Sequence, residues 1–274
     1  MIEIERLSFS YPDGRQALEE LSLSVAPGDK VAVVGPNGAG KSTLFLHLNG
    51  TLRVQGEGMV RVAGLAVGDK TVRSIRAQVG LVFQDPDDQL FSISVFEDVA
   101  FGPLHMGLPD EEVRQRVARA LAAVGMSGHD KQMPHHMSLG ERKRIAIATV
   151  LAMDPAILVL DEPSAGLDPR ARRNLIQLLR ELPQTMLVAS HDMRLVWDLC
   201  PRTVVLDGGR LVADGPTLEL LQDTSLMERH GLEVPYAPSQ VQDATLYAKQ
   251  RRREMAGSDG SKARSSVKNA GRPT

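Results

Sequence analysis

The chain contains 274 residues, of which 42% are hydrophobic and 24% charged, and its net charge is −2. That length suits one large domain, with or without a small appendage, and so small a charge gives no overall field that would attract nucleic acid or an anionic membrane. A single cysteine, Cys200, excludes an internal disulfide, and no apolar run reaches the roughly 18 residues that span a bilayer. The charged N-terminal stretch is unlike a signal peptide, so we expect a cytosolic protein that works at a membrane only through partners.

Short apolar runs alternate with helical patterns along most of the chain. The runs that predict strands lie at residues 2–9, 17–25, 30–35, 59–63, 79–84, 156–163 and 185–192, with a hairpin over 203–215. The patterns that predict helices start at about residue 42 and then cover 110–124, 138–153, 168–182 and 192–199. Alternation of this kind predicts an α/β fold around a mostly parallel sheet.

Two parts of the chain depart from the alternation. The early strands have no helices between them, which predicts a small antiparallel β subdomain, and residues 85–150 predict a helical subdomain. From residue 237 onward large apolar side chains become rare, and residues 251–274 hold seven Lys or Arg against two acids. We expect one domain over residues 1–236 and a basic, disordered tail over 237–274, with contact to anionic lipid or RNA as the alternative role for that tail.

A glycine-rich stretch, GPNGAGKST at residues 35–43, matches the pattern G-x-x-x-x-G-K-[ST] between a predicted strand and a predicted helix. Its glycines let the backbone curl so that successive N–H groups face one point, and the helix N-terminus adds partial positive charge. The stretch therefore predicts a phosphate-binding P-loop, in which Lys41 reaches the β and γ phosphates and Ser42 ligates Mg²⁺. A glycine-rich turn that binds nothing is the alternative.

A second stretch, ILVLDEP at residues 157–163, supplies the other half of such a site. Its apolar strand delivers Asp161 to the carboxyl end, where the carboxylate can hold the Mg²⁺ shell. Glu162 follows directly and can polarise a water for attack on the γ phosphate. A P-loop followed by this pair predicts a P-loop NTPase core that hydrolyses its nucleotide.

Further motifs occur in a characteristic order: Tyr11, Gln84, MSLGE at residues 137–141, SAGLD at 164–168 and His191. Together with the two phosphate motifs they make most of the chain resemble the ATPase subunit of an ATP-binding cassette (ABC) transporter. The resemblance covers roughly residues 2–235.

The resemblance implies a role for each matching position. Tyr11 matches the aromatic residue that stacks on adenine, and Gln84 matches the glutamine that touches Mg²⁺ and the attacking water. His191 matches the histidine that contacts the γ phosphate. Residues 137–141 match the signature loop that closes over ATP bound to the opposite subunit, and Asp168 belongs to the loop that crosses the dimer interface.

The motifs and the resemblance together predict one nucleotide site. The catalytic residues are Glu162, His191 and Gln84, and the Mg²⁺ ligands are Ser42, Gln84 and Asp161. The residues predicted to contact ATP are Tyr11, Gly35, Pro36, Asn37, Gly38, Ala39, Gly40, Lys41, Ser42, Thr43, Ser138, Gly140 and Asp168.

The signature loop implies a second chain. Ser138 and Gly140 open a predicted helix whose N-terminus suits an anion, and a helix in a separate subdomain cannot fold back onto its own P-loop. We expect two nucleotides between two subunits, with a homodimer favoured because one chain holds every catalytic position. The usual signature carries glycine and glutamine where this chain carries Leu139 and Glu141, which puts the close backbone approach to phosphate in question.

The stretches 82–91, VFQDPDDQLF, and 94–103, SVFEDVAFGP, resemble the ATPases of energy-coupling factor transporters, which import vitamins or transition-metal ions. The SLGE signature and residues 145–153 resemble cobalt and nickel importers more than vitamin importers. This resemblance implies a transmembrane coupling subunit, a membrane-embedded substrate-binding subunit and a position at the cytoplasmic face of the cell membrane.

Other interpretations are weaker. A DNA-repair or chromosome ATPase would carry long coiled coils between the P-loop and the signature, a translational ATPase usually carries two cassettes, and a P-loop kinase lacks the signature. The acids Asp85, Asp87 and Asp88 suggest either a metal site or turn and interface residues, of which we expect the latter. The adjacent His135 and His136 are expected in a loop, because a metal site would need further ligands.

Overall fold

The computed structural model describes residues 1–233, so the predicted boundary at residue 236 and the basic tail lie outside the described residues. The strands are β1 Ile2–Ser10, β2 Gln16–Val25, β3 Lys30–Val34, β4 Met59–Val62, β5 Leu65–Ala66, β6 Val79–Val82, β7 Ile157–Asp161, β8 Thr185–Ala189, β9 Arg202–Asp207 and β10 Arg210–Pro216. The helices are α1 Lys41–Leu48, α2 Val72–Gln78, α3 Val95–His105, α4 Asp110–Ala123, α5 Leu139–Leu151, α6 Pro169–Glu181, α7 Met193–Leu199, α8 Thr217–Gln222 and α9 Thr224–Arg229.

The strands of the described chain form two sheets. The larger has the order β10-β9-β3-β8-β7-β6, in which only β10 runs antiparallel to its neighbour. Its inner strands β3, β7 and β8 are buried along nearly their whole length, as expected for a parallel sheet covered on both faces. The smaller sheet is antiparallel with the order β2-β1-β4-β5. Both the parallel core and the antiparallel subdomain are therefore as predicted.

The helical part of the chain consists of α3, α4 and α5, which pack against one another. Helix α4 buries Val113, Val117 and Leu121 at helical spacing, and α5 buries Ile145 and its apolar neighbours. Helix α5 also packs against β6 of the larger sheet. It is therefore the element that joins the helical part to the sheet.

Three predicted strands are too long at their carboxyl ends. The runs 79–84, 156–163 and 185–192 leave the sheet after Val82, Asp161 and Ala189. The last leaves because Asp192 caps α7, its side chain accepting from the N–H groups of Arg194 and Leu195. The residues beyond each strand end form loops at the carboxyl edge of the sheet.

Four helices were not predicted individually: α2, α3, α8 and α9. Three of them span only six or seven residues, too short to show helical periodicity. Helix α3 contains Pro103, which argues against a helix in sequence, although Ser94 caps its first turn. No helix within residues 1–233 is both long enough and apolar enough to cross a membrane.

Candidate active site

The larger sheet brings the predicted phosphate and catalytic motifs to one edge. Strand β8 lies between β3 and β7, and Ala189 at its end is in register with both Val33 and Asp161. All three strands are parallel, so the segments that follow them emerge side by side. The P-loop, the Asp161–Glu162 pair and His191 therefore meet at the carboxyl edge of the sheet, where ligands bind in α/β folds.

The P-loop has a tightly packed backbone. Gly35 has a φ of +153°, and a side chain there would overlap the carbonyl oxygen of Leu206. Gly40 has a φ of +103°, and a Cβ atom at that position would lie 2.6 Å from the carbonyl oxygen of Ala17. Glycine is required at both places, because any side chain would push the loop away from the neighbouring strands. Helix α1 begins directly after Gly40, at Lys41, so the partial positive charge of its N-terminus lies at the loop.

The P-loop lysine is held within its own loop. The Nζ atom of Lys41 donates to the carbonyl oxygens of Gly35 at 2.7 Å and Pro36 at 3.0 Å and lies 3.3 Å from Nε2 of His191. Burial lowers the pKa of Lys41, and the nearby Glu162 and Asp161 carboxylates oppose that shift. The ammonium group is thus held near the carboxylates of Glu162 and Asp161, where a polyphosphate would meet it.

The residues present fit a Mg²⁺ site. The hydroxyl of Ser42 donates to Oδ2 of Asp161 at 2.6 Å, so two of the three predicted ligands already face each other. Magnesium is usually held by one or two protein oxygens while phosphates and water fill the remaining positions. Ser42 and Asp161 are such a pair, and Mg²⁺ bound there would neutralise charge on the nucleotide phosphates.

The Glu162 carboxylate is buried and precisely oriented by the loop after β8. Its Oε2 atom accepts from the main-chain N–H of His191 at 3.1 Å and the hydroxyl of Ser190 at 3.4 Å. The other oxygen, Oε1, has no hydrogen-bond partner within residues 1–233 and lies 3.5 Å from Nε2 of His191. Burial raises the pKa of the Glu162 carboxyl, although the hydrogen bond from His191 opposes the rise. A carboxylate oxygen that has no hydrogen bond can accept a proton from a water that reaches it.

The Glu162 backbone is also unusual. Its φ is +44°, a left-handed conformation that costs a non-glycine residue roughly 1–3 kcal/mol. Its N–H donates to the carbonyl of Ala189 at 3.0 Å, and its own carbonyl accepts from Nζ of Lys143 at 3.2 Å and N–H of Ala165 at 3.1 Å. The surrounding contacts thus hold Glu162 in a conformation that it would otherwise avoid.

Gln84 approaches the site from β6, the neighbour of β7. Its side chain is exposed in the loop, and its carbonyl oxygen accepts from Nζ of Lys143 at 3.0 Å. Tyr11 comes from the antiparallel sheet, and its hydroxyl lies 3.0 Å from that of Thr43 at the end of the P-loop. The guanidinium of Arg15 lies 4.9 Å from the centre of the Tyr11 ring. Both residues therefore border the predicted nucleotide site.

Ser138, Gly140 and Asp168 are not joined to this site. Within residues 1–233, no hydrogen bond links any of them to the P-loop. Ser138 instead begins α5 with a capping box: its N–H and hydroxyl donate to Oε2 of Glu141 at 2.9 and 2.7 Å. The Asp168 carboxylate caps α6 by accepting from two main-chain N–H groups, which lower its pKa.

The signature loop packs against the loop after Glu162. A Cβ atom on Gly140 would lie 3.3 Å from that of Ala171, and one on Gly166 would lie 2.9 Å from the side chain of Leu139. Leu139, which replaces the usual glycine, thus covers Gly166 within its own chain. The two loops that the resemblance places at a dimer interface are therefore neighbours on one surface.

In the acidic run at 85–88, Asp85 and Asp87 serve a turn and an ion pair. Asp85 caps the 3-10 turn Pro86–Asp88 by accepting from the N–H of Asp87, and Asp87 forms an ion pair with Arg142 at 2.9 Å. His135 and His136 are exposed in the 3-10 turn Pro134–His136. Among residues 1–233, no three His, Cys, Asp or Glu are grouped so that they could hold a metal ion.

Sequence reasoning missed Lys143, which contacts the backbones of both Gln84 and Glu162. A lysine two residues after the signature resembles an exposed helix charge. The available signal is its spacing: Lys143 stands three, four and seven residues before buried Ala146, Ile147 and Val150, so it falls in the apolar stripe of α5.

Comparison with known proteins agrees with this geometry. The ABC transporter family matches residues 18–165. The energy-coupling factor transporter ATP-binding protein EcfA of Methanothermobacter thermautotrophicus is 50% identical over 239 residues, which cover 86% of this chain and 77% of that protein.

Two solved structures are also similar. The cbiO1 protein from Clostridium perfringens, described as part of the ABC transporter complex cbiONQ, is 38% identical with a TM-score of 0.74, covering 85% of this chain and 95% of its own. The ATP-binding cassette MJ0796, seen as a dimer bound to ADP and phosphate, is 26% identical with a TM-score of 0.71, covering 79% of this chain and 99% of its own. The predicted phosphate and catalytic motifs meet on one sheet edge, and the chain belongs to the ABC transporter family and is an ATPase that binds ATP with Mg²⁺.

Proposed function

We propose that this chain is the ATP-hydrolysing subunit of an energy-coupling factor importer that carries cobalt or nickel. The observations that carry the proposal are the meeting of Lys41, Asp161, Glu162 and His191 at one sheet edge and an exposed apolar groove elsewhere on the chain. Phe83, which directly precedes Gln84, lines that groove. The cluster at the sheet edge hydrolyses ATP. The groove is the surface on which a membrane partner binds.

In this proposal Glu162 is the general base. Its Oε1 atom accepts the proton of the attacking water, while His191 and Lys41 contact the γ phosphate and stabilise its charge. Gln84 lies in the loop that joins β6 to the helical part, and its side chain would orient the water and Mg²⁺. Tyr11 contacts the adenine.

The proposed working form is a homodimer with two ATP molecules at its interface. Ser138, Gly140 and Asp168 lie outside the site of their own chain, which suits contact with nucleotide bound to a second copy. The dimer of MJ0796 with ADP and phosphate supports this arrangement. ATP binding would close the dimer and hydrolysis would release it.

The groove has a volume of about 820 Å³ and is lined in part by Phe83, Phe91, Phe101 and Met153. Phe91 is 64% exposed and Phe101 44% exposed, and their rings meet edge to face with centroids 5.1 Å apart. Exposed aromatic pairs of this kind mark interaction surfaces. The occupant we propose is a short helix of the transmembrane coupling subunit, which would hold the chain at the cytoplasmic face of the membrane.

The cargo rests on the signature variant and on the likeness to cbiO1. A membrane-embedded binding subunit selects the cargo, so this chain need not touch it. The alternative cargo is a vitamin, since the same motor architecture serves both classes by resemblance.

The test is affinity purification of the tagged full-length chain from solubilised membranes of its host, followed by identification of its partners. We expect a transmembrane coupling subunit and a small membrane-embedded binding subunit, and radioactive cobalt or nickel uptake that depends on this chain. Uptake of a vitamin instead would contradict the proposed cargo and leave the role as ATP-hydrolysing subunit unchanged. A complex with a solute-binding protein and ordinary permeases would contradict the energy-coupling factor assignment.

A further inference from the structure

Lys143 places a buried ammonium group between the two loops that carry Gln84 and Glu162. Its side chain is 5% exposed and extends from α5, the helix that begins with the signature loop. Its Nζ atom donates to the Gln84 carbonyl at 3.0 Å and to the Glu162 carbonyl at 3.2 Å. One side chain from the helical part thus contacts the main chains of the catalytic acid and of the coupling glutamine.

Burial of a lysine in this position needs compensation. Burial lowers the pKa of Lys143, while the nearby carboxylates of Asp85 and Glu162 oppose that shift. The two carbonyl hydrogen bonds supply further compensation. A lysine that served only to pack α5 against the sheet would be replaced at lower cost by an apolar side chain, so the contacts themselves require explanation.

The consequence lies in the conformation of Glu162. Its positive φ of +44° is held by the N–H bond to Ala189 on one side and by bonds to its carbonyl on the other. Strained backbones at functional sites persist when their surroundings fix them. Lys143 is the contact among these that belongs to the helical part, so it makes the orientation of Glu162 depend on the position of α5.

We propose that Lys143 is a positioning residue that fixes the Glu162 and Gln84 backbones relative to α5 and so links ATP hydrolysis to the position of the signature helix. The inference rests on the proposed function, because it takes Glu162 as the base and Gln84 as the coupling glutamine. Lys143 itself does not touch nucleotide in this role.

The matched control is Lys30, a lysine with the same chemistry at the opposite end of β3. Its Nζ donates to the carbonyl oxygens of Leu179 and Arg180, both at 2.8 Å, at the end of α6. Burial lowers the pKa of Lys30 as it does that of Lys143. Replacing either lysine with methionine removes a cation and two hydrogen bonds to carbonyls. Only Lys143→Met removes contacts to Gln84 and Glu162.

The experiment measures steady-state ATP hydrolysis and thermal stability of the full-length chain. We expect Lys143→Met to lower kcat at least about tenfold with KM for ATP changed less than about twofold, because a small misplacement of a catalytic group costs up to about 100-fold. Lys143→Arg should recover part of kcat. Lys30→Met should lose a similar amount of thermal stability and keep its kcat.

A double-variant cycle separates positioning from general damage. If Lys143 acts through Glu162, adding Lys143→Met to Glu162→Gln should lower the residual turnover by less than about twofold, since residues that act as a unit are not additive. Wild-type kcat in Lys143→Met, or an equal loss of kcat in Lys30→Met, would overturn the inference and leave the motor intact. Absence of hydrolysis in the wild type would instead overturn the proposed function.

Discussion

Among single residues, Glu141 of the signature loop departs from the family pattern and caps the start of α5. Glu141 replaces the usual glutamine, and its carboxylate accepts from both the N–H and the hydroxyl of Ser138. These bonds lower the pKa of Glu141, which means that the folded chain favours the ionised form. They also occupy the Ser138 hydroxyl that would contact a phosphate, so contact requires the hydroxyl to rotate away from Glu141.

The pH dependence of stability follows from this shift. A folded pKa below the unfolded value adds stability above the unfolded pKa, and that stability is lost as pH falls through the folded pKa. We expect Glu141→Ala to lower the free energy of unfolding at pH 7 by about 1 kcal/mol, as for a lost helix cap. The difference from wild type should shrink as pH falls below the ordinary glutamate value of 4.5. Urea unfolding across that range measures it, and a difference independent of pH would refute the charged capping box.

Among the secondary-structure elements, the loop after β6 is joined to helix α5 by an ion pair and several hydrogen bonds. Arg142 pairs with Asp87, Lys143 reaches the Gln84 carbonyl, and the amide of Gln89 donates to the Ala146 carbonyl at 2.8 Å and the Thr149 hydroxyl at 2.7 Å. These bonds connect Gln89, which lines the groove, with α5, and Lys143 connects α5 with the backbone of Glu162.

Asp87→Ala tests that connection. The Asp87–Arg142 pair is partly exposed, so its loss should cost at most about 1 kcal/mol of stability. We expect cargo uptake to fall more than basal ATP hydrolysis, because the loop is loosened from α5 while the nucleotide site is untouched. Asp69→Ala is the control, since it breaks an exposed 2.8 Å ion pair with Arg53 elsewhere and should change neither rate. Equal loss of uptake and hydrolysis, with weaker Mg²⁺ binding, would favour the metal interpretation of the acidic run.

At the scale of the whole molecule, the parallel core and the P-loop could be predicted because they follow local rules. A buried strand, a glycine-rich turn and a helix dictate the phosphate loop by themselves, and Gly35 and Gly40 proved to be positions where no side chain fits. The strand ends could not be predicted, since Phe83 and Ser190 read as strand in sequence but lie in loops. Lys143 could not be assigned either, because its partners are main-chain carbonyls 59 and 19 residues away.

We propose that Glu162 drives hydrolysis of ATP held between two copies of this chain. The most direct test of this proposal is the solution mass and turnover of Glu162→Gln with Mg²⁺ and ATP. We predict that turnover falls about 100-fold or more, as for loss of a general base, and that the variant accumulates as a dimer of twice the monomer mass while ATP is present. Near wild-type turnover would refute Glu162 as the base, and a variant that stays monomeric at saturating ATP would refute the ATP-bound dimer.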